Sequence, residues 1–211
     1  MKIVIVNYGS GNLHSVHKSF EKTNQNLDSL WTIEVSKDPE VINKADKVVL
    51  PGVGAYADCK KSIDKIDGLF EALEDLVIHK KKCFMGICVG MQLLADSSSE
   101  FGTHKGFGWI PGAVVEIPRA PNFKIPHMGW NEIQFKDHKL FTSIEQNTNF
   151  YFVHSFYFKT VNKDHTLATT NYPEKITAAI IYENIFGTQF HPEKSHNSGQ
   201  QIIKNFIEWK L

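Results

Sequence analysis

The sequence has no excess of charge of either sign and no long apolar run. Its 211 residues carry 23 basic and 23 acidic side chains, so the formal net charge is zero. Proteins that bind nucleic acid or an anionic membrane normally present a basic excess, so we expect neither partner. No apolar stretch approaches the roughly 18 residues of a transmembrane helix, and the amino terminus enters a strand pattern without the architecture of a signal peptide. We therefore expect a cytoplasmic protein.

Cysteine is also scarce. Cys59, Cys83 and Cys88 cannot all pair, and their spacing fits no metal-ligand pattern, which argues against a disulfide framework and against a metal site. Gly9-x-Gly11 begins like a dinucleotide fingerprint, but His14 stands at the third glycine position, so we expect no cofactor. The length allows one sizeable core and is short for two, so we expect a single domain over residues 1–211.

The first half of the chain alternates strand and helix patterns. Residues 2–6 (KIVIV) form an unalternating β-branched run, which is typical of a strand covered on both faces. We predict further strands over 31–35 and 47–50, and helices along Leu13, Val16 and Phe20, from Pro39, over 56–66 and over 68–81. The pattern predicts an α/β fold with an open, mostly parallel sheet flanked by helices.

The second half changes character. Short strand-like runs alternate with turn residues, which predicts an antiparallel or mixed β extension in the C-terminal half. A closing helix then follows, whose apolar face is Ile202, Ile203, Phe206 and Ile207. The predicted strands are 113–117, 132–135, 150–154, 167–170, 177–182 and 185–190.

Residues 82–94 (KCFMGICVGMQLL) carry the strongest chemical signal. Gly86-x-Cys88-x-Gly90 predicts a strand, a sharp turn and a helix, with the thiol at the apex, as in a nucleophile elbow. We expect Cys88 to be exposed at a sheet edge, and the helix N-terminus favours its reactive thiolate form. The N–H of Val89 is then placed to donate to an oxyanion. The alternative is a buried core cysteine.

A candidate base lies near the other end, in residues 187–195 (GTQFHPEKS). Residues i and i+2 at a strand end point the same way, so Glu193 can orient the imidazole of His191 while His191 faces the thiol. A surface turn around Pro192 is the alternative for this motif alone. Together the two motifs outline a Cys–His–Glu triad.

Residues 51–56 (PGVGAY) place Val53 between two glycines. The flexible backbone would let the Val53 N–H point at a substrate oxygen in one state and away from it in another. An ordinary turn is the alternative interpretation.

These motifs, together with residues 7–13 (NYGSGNL) and 126–131 (PHMGWN), make the chain resemble the class I, triad-type glutamine amidotransferases. Residues 7–13 and 126–131 are similar in particular to the glutaminase subunits of imidazole glycerol phosphate synthases. The resemblance implies a flavodoxin-like parallel sheet, with Cys88 as nucleophile, His191 as base and then acid, and Glu193 as the orienting carboxylate.

The resemblance also implies a glutamine site and a subunit interface. Many relatives have tyrosine where this chain has Phe156, but the family uses backbone groups there, so we expect little effect. Trp130 at the interface would be an exposed aromatic; a core residue is the alternative. The glutamine site would comprise Gly54, Gln92, Glu100, Ser155 and Phe156, and the interface Asn12, Met128, Trp130, Tyr151 and Lys194.

The implied function is hydrolysis of L-glutamine, with ammonia passed to a separate cyclase subunit in a heterodimer. That cyclase forms imidazole glycerol phosphate and an aminoimidazole carboxamide ribotide in histidine biosynthesis. The chain carries no phosphate-binding motif of full pattern, so another chain must use the ammonia. Two alternatives stay open: a paralogue that feeds another synthase, for example in surface-sugar amidine formation, and a non-catalytic interaction module.

Overall fold

The computed structural model describes residues 1–27 and 30–211. Its helices are α1 (Leu13–Asn24), α2 (Pro39–Asn43), α3 (Tyr56–Asp64), α4 (Leu69–Glu74), α5 (Val89–Gln92) and α6 (His196–Glu208). Its strands are β1 (Lys2–Val6), β2 (Thr32–Ser36), β3 (Lys47–Gly52), β4 (Cys83–Cys88), β5 (Ser97–Ser98), β6 (His104–Lys105), β7 (Gly112–Glu116), β8 (His127–Glu132), β9 (Gln134–Phe135), β10 (Asn149–His154), β11 (Phe156–Thr160), β12 (Thr166–Asn171), β13 (Lys175–Tyr182) and β14 (Ile185–Thr188).

A central sheet has the strand order β2-β1-β3-β4-β14-β13-β12-β9. Strands β2, β1, β3, β4 and β14 pair in parallel, whereas β13, β12 and β9 continue the sheet antiparallel. Strands β3 and β4 are buried along their whole length, as unalternating apolar strands between two helical layers must be. The prediction of an open, mostly parallel α/β sheet is confirmed.

The helices cover this sheet through apolar faces that follow the expected spacing. Phe20 of α1 meets Phe206 of α6 edge to face, with ring centroids 6.4 Å apart. Ile202, Ile203 and Ile207 of α6 are buried as well, which confirms the closing helix. No helix among the described residues is long and apolar enough to cross a membrane.

Two smaller sheets form the C-terminal extension, one of order β11-β7-β5-β6 and one that pairs β10 with β8. This confirms a mixed extension, but with differences in its strands. Strands β8 and β11 were not predicted from the sequence; in β8, Gly129 and the polar residues interrupt the strand pattern. The strand predicted over 185–190 instead pairs in parallel with β4, inside the central sheet.

Two predicted helices are shorter in the structure than the sequence pattern indicates. The helix predicted over 68–81 is α4 followed by a π-helical turn, Asp75–His79. After the elbow, α5 contains only four residues before the chain turns away. The short α5 is closely followed by strand β5.

Candidate active site

Cys88 stands at the carboxyl end of β4, in the middle of the central sheet. Its backbone has φ 55° and ψ −114°, a positive-φ conformation that is strained for a residue with a side chain. Such strain at a strand–helix junction is the signature of a nucleophile elbow. The expectation that Cys88 is exposed at a sheet edge is wrong, because the residue is only 4% exposed.

The two glycines of the elbow are required by close backbone contacts. A Cβ atom on Gly86 would lie 2.6 Å from the carbonyl oxygen of Gly90. A Cβ atom on Gly90 would collide with the carbonyl oxygen of Leu50 on the neighbouring β3. Strand, turn and α5 can therefore pack this tightly only without side chains at these two positions.

His191 and Glu193 form the second half of the site. His191 Nδ1 lies 2.8 Å from Glu193 Oε1, and both side chains are almost completely buried. The contact is made through a 3₁₀ turn, Pro192–Lys194, rather than through the extended strand end that the sequence indicated. Glu193 therefore fixes the orientation of the imidazole with one carboxylate oxygen.

The electrostatics around His191 favour a charged ring. Burial alone disfavours the imidazolium, but Cys88 and Glu193 outweigh burial and raise the pKa of His191 well above its ordinary value. Within residues 1–27 and 30–211, His191 Nε2 has no oxygen or nitrogen partner, although it is buried. The raised pKa therefore favours a protonated His191 ring beside the Cys88 side chain.

A cavity of about 160 Å³ opens beside Cys88 and His191. Its volume suits one small ligand, and its lining combines the nucleophile with backbone and polar groups. Val153 and His154 lie among the lining residues, although no sequence motif singled them out. The other lining residues are Val53, Gly54, Cys88, Val89, Gln92, Glu100, Ser155, Phe156 and His191.

Polar side chains around this cavity are held by further contacts. Gln92 Nε2 donates to the Phe156 carbonyl at 2.9 Å and to Gln189 Oε1 at 3.0 Å. Gln189 in turn directs its amide nitrogen at Cys88 Sγ, 3.6 Å away, a contact that was not predicted although Gln189 belongs to the 187–195 motif. Glu100 Oε2 accepts the N–H of Tyr56, the first residue of α3, at 2.6 Å.

The peptide expected to complete an oxyanion hole has a different partner in this structure. The Val53 N–H donates to Ser10 Oγ at 3.4 Å, and Ser10 Oγ donates to the Val53 carbonyl at 2.6 Å. Gly54 has φ +95°, a conformation that glycine adopts without strain. Val53 therefore borders the cavity while its N–H is engaged by Ser10.

Four of the five residues expected at a subunit interface lie in or near strand β8: Met128, Trp130, Tyr151 and Lys194. Trp130 is 47% and Met128 61% exposed, so Trp130 is not a core residue. Trp130 lies opposite Tyr151 of β10, and Lys194 Nζ lies 5.7 Å from the Tyr151 ring centroid. Asn12 caps α1 by accepting the Ser15 N–H at 3.4 Å. We call Met128, Trp130, Tyr151 and Lys194 the aromatic surface cluster.

A larger cleft of about 710 Å³ lies elsewhere, lined by four lysines, several threonines and a few apolar residues, with no cysteine or histidine among them. Cys88 and His191 instead line the smaller cavity. Within the described part of the chain, no group of three or more His, Cys, Asp or Glu side chains could hold a metal ion.

A parallel α/β sheet with a strained cysteine elbow and a buried His–Glu pair defines a triad-type amidotransferase. Comparisons with known proteins agree. A sequence model described as glutamine amidotransferase class-I matches residues 4–209. A crystal structure described as a glutamine amidotransferase aligns with a TM-score of 0.72 at 13% identity, covering 97% of each chain. Another glutamine amidotransferase, from Thermotoga maritima, aligns with a TM-score of 0.62 at 18% identity, covering 99% of this chain and 83% of that one.

Curated relatives are more specific than these solved structures. Imidazole glycerol phosphate synthase subunit HisH of Rhodospirillum rubrum is 46% identical over 212 residues, covering 99% of each chain. The protein of the same name from Rhodopseudomonas palustris is 44% identical over 215 residues, covering 100% of each. The chain therefore belongs to the class-I glutamine amidotransferases and, within them, to the HisH subunit family.

Proposed function

We propose that this chain hydrolyses L-glutamine to glutamate and ammonia through a Cys88 thioester. Ammonia then passes to a separate cyclase subunit of imidazole glycerol phosphate synthase, which forms imidazole glycerol phosphate and an aminoimidazole carboxamide ribotide in histidine biosynthesis. The observation that carries the proposal is the closure of Cys88, His191 and the polar Gln92 and Glu100 around one small cavity. The full-length similarity to HisH subunits supports the pathway.

The reaction follows from the positions of the groups. The Cys88 thiolate attacks the carboxamide carbon, and the N–H of Val89 stabilises the oxyanion that forms. His191 donates its proton to the leaving nitrogen, so ammonia departs and a thioester remains. His191 then takes a proton from water, which attacks the thioester and releases glutamate and the Cys88 thiolate. Glu193 keeps the ring aligned in both steps.

The remaining assignments belong to the same proposal. Gly54, Gln92, Glu100, Ser155 and Phe156 would hold the glutamine, since all of them line the cavity. The aromatic surface cluster and Asn12 would contact the cyclase in a heterodimer. We propose that residues 1–211 act as one domain, supported by a continuous buried cluster from Ile3 to Trp209. Three unpaired cysteines suit a reducing cytoplasm.

The test is a pair of assays on Cys88→Ser in complex with the cyclase. Glutamine-dependent synthesis should disappear, because a hydroxyl is a far weaker nucleophile than a thiolate in the same volume. Synthesis from external ammonium should persist, because the cyclase does not need the thiol. Substantial residual glutaminase activity would refute Cys88 as the nucleophile, and loss of the ammonium-dependent reaction would show that the substitution damages the complex.

A further inference from the structure

A row of hydrogen bonds runs from strand β8 to the wall of the small cavity. Asn131 Nδ2 lies 3.2 Å from His127 Nε2, and His127 Nδ1 lies 2.9 Å from His154 Nε2. His154 Nδ1 lies 2.8 Å from the carbonyl oxygen of Phe156. His127 and His154 are only 3% and 6% exposed, so water does not replace these contacts.

The carbonyl oxygen of Phe156, at the end of the row, determines which atom is the donor in each of these hydrogen bonds. The Phe156 carbonyl can only accept, so His154 Nδ1 must carry a hydrogen. Burial lowers the pKa of His154 to about 3, so its ring is neutral and its Nε2 is an acceptor. His127 Nδ1 must then carry a hydrogen as well.

The same reasoning extends to the surface end of the row. Burial lowers the pKa of His127 to about 4, so this ring is also neutral and its Nε2 accepts. Asn131 supplies the matching donor through Nδ2, which also donates to the carbonyl of Asn171 at 3.1 Å. Only one arrangement of hydrogens gives every donor in this row an acceptor. In it, Asn131 donates to His127, His127 donates to His154, and His154 donates to the Phe156 carbonyl.

Packing holds the rings in the planes that this arrangement needs. His127 lies between two aromatic rings, with centroids 4.0 Å from Tyr172 and 4.8 Å from Phe152, at interplanar angles of 19° and 23°. His127 and His154 are also direct partners in the β8–β10 register. Turning either ring would break the hydrogen bond between them, and turning His127 would also break its stack with Tyr172 and Phe152.

The row ends at the carbonyl oxygen of Phe156, a residue that lines the cavity. The Phe156 carbonyl accepts from Gln92 Nε2 as well as from His154, so both of its lone pairs are engaged. Ser155 and Phe156 line the cavity beside Cys88. Without the His154 bond, the Phe156 carbonyl would keep only one of its two side-chain donors.

We propose that Asn131, His127 and His154 are positioning residues that hold the Phe156 carbonyl, and with it the glutamine-binding wall of the cavity, in place. The proposal rests on the proposed glutaminase function for its consequence, though not for its geometry. Strand β8, which provides Asn131 and His127, also carries Met128 and Trp130 of the aromatic surface cluster. Glutamine affinity therefore depends on the strand that would meet the partner subunit.

The first test measures the hydrogens directly and needs no activity. Long-range ¹H–¹⁵N correlation spectra of the ¹⁵N-labelled wild-type chain near neutral pH report which nitrogen of each imidazole is protonated. We expect both His127 and His154 in the Nδ1–H form, although free histidine favours Nε2–H. An Nε2–H form or an imidazolium at either residue would overturn the proposal.

The second test separates glutamine binding from chemistry in the complex with the cyclase. His127→Phe keeps the ring stack but removes the donor to His154, and should raise the glutamine KM roughly five- to fiftyfold with kcat changed less than about twofold. His154→Asn, whose Nδ2 can replace Nδ1, should stay closer to the wild-type KM than His154→Leu. Glu132→Gln, an exposed neighbour on β8, is the control and should leave KM unchanged.

The outcomes are distinguishable. If His127→Phe keeps the wild-type KM, or if His154→Asn and His154→Leu behave alike, the three residues do not position the cavity wall. If the wild-type complex releases no glutamate at all, the proposed function fails, while the spectra still decide whether the hydrogen-bond row exists. If His127→Phe does not fold, the spectra of the wild type and the two His154 variants carry the test.

Discussion

The hydroxyl of Ser10 binds both polar backbone atoms of Val53. It donates to the Val53 carbonyl oxygen at 2.6 Å and accepts the Val53 N–H at 3.4 Å, and the Cys59 thiol donates to the same carbonyl at 3.4 Å. A backbone N–H held in this way cannot also bind an oxyanion beside Cys88. Completing the oxyanion hole with Val53 therefore requires the Ser10 contact to break and the Val53 peptide to rotate.

We accordingly predict that the isolated chain is a poor glutaminase and that the ligand-bearing cyclase raises its rate by orders of magnitude. One missing oxyanion donor lowers kcat by roughly 10²–10³, which is large enough for a gate. Ser10→Ala should raise the partner-free rate about two- to tenfold, because it removes a hydrogen bond that opposes the rotation. Glutamate release with and without the partner measures both effects.

Two further variants complete this experiment: one removes the proposed donor, and the other is a control. Val53→Pro removes the donor N–H and should abolish most of the stimulation, whereas Ser19→Ala in α1 should change nothing. An isolated wild-type chain as fast as the complex, or a folded Val53→Pro variant that is stimulated normally, would show that this peptide is not the gate.

The buried His191–Glu193 contact gives the second prediction. Glu193→Gln keeps the shape but removes the charge that helps to hold the proton on His191, so kcat should fall by roughly 10²–10⁴. His191→Ala should cost more, because it removes the proton carrier itself. Steady-state kinetics of the two variants with the cyclase provide the comparison, and equal losses would contradict the division of roles.

The elbow and the His191–Glu193 pair could be predicted from the sequence because each depends on a short motif. Gly86 and Gly90 predict the elbow, since only glycine tolerates the backbone contacts found there. His191 and Glu193 are two residues apart, so their contact needs only a local turn. Full-length similarity to HisH subunits also confirms the family that these motifs indicated.

The structural features that the sequence did not predict depend on contacts between residues far apart in the chain. Cys88 is buried beside a cavity whose lining includes residues 153–156, far along the chain, and the elbow motif itself does not record that burial. The His127–His154 contact joins residues 27 positions apart through the β8–β10 register. Strand β8 itself escaped prediction, so its side-chain partners did too.

The same two histidines predict a pH dependence of stability. Their folded-state pKa values, about 4 for His127 and about 3 for His154, lie below the ordinary value of 6.5, mainly because of burial. The unfolded chain then binds more protons between those values and 6.5, so this stability is fully present above pH 6.5 and is lost as the pH falls towards 3.

Urea unfolding at about pH 7.5 and about pH 5 would measure this difference. His127→Phe should lose less stability on acidification than the wild type, because one of the two titrating groups is gone. The neighbouring Glu132→Gln serves as control and should keep the wild-type difference. An identical pH dependence for His127→Phe would contradict the assignment of the neutral ring.

The last prediction concerns Trp130, which connects the surface to the catalytic histidine. Its ring stacks on His196 with centroids 5.0 Å apart and an interplanar angle of 9°, and it meets the Tyr151 ring edge to face at 6.1 Å. The Tyr151 carbonyl accepts the His191 N–H at 2.9 Å. A half-exposed tryptophan held rigidly in this way has the properties of an interface anchor.

We expect Trp130→Ala to weaken binding of the cyclase at least about tenfold, and to reduce stimulation of glutaminase activity at saturating partner as well, because the Tyr151 backbone would lose a packing neighbour. Isothermal titration gives the affinity, and glutamate release at saturating cyclase gives the stimulation. Val161→Ala, at a residue 76% exposed in the β11–β12 connection, is the control and should bind normally. Unchanged affinity of a folded Trp130→Ala variant would place the partner on another face of the molecule.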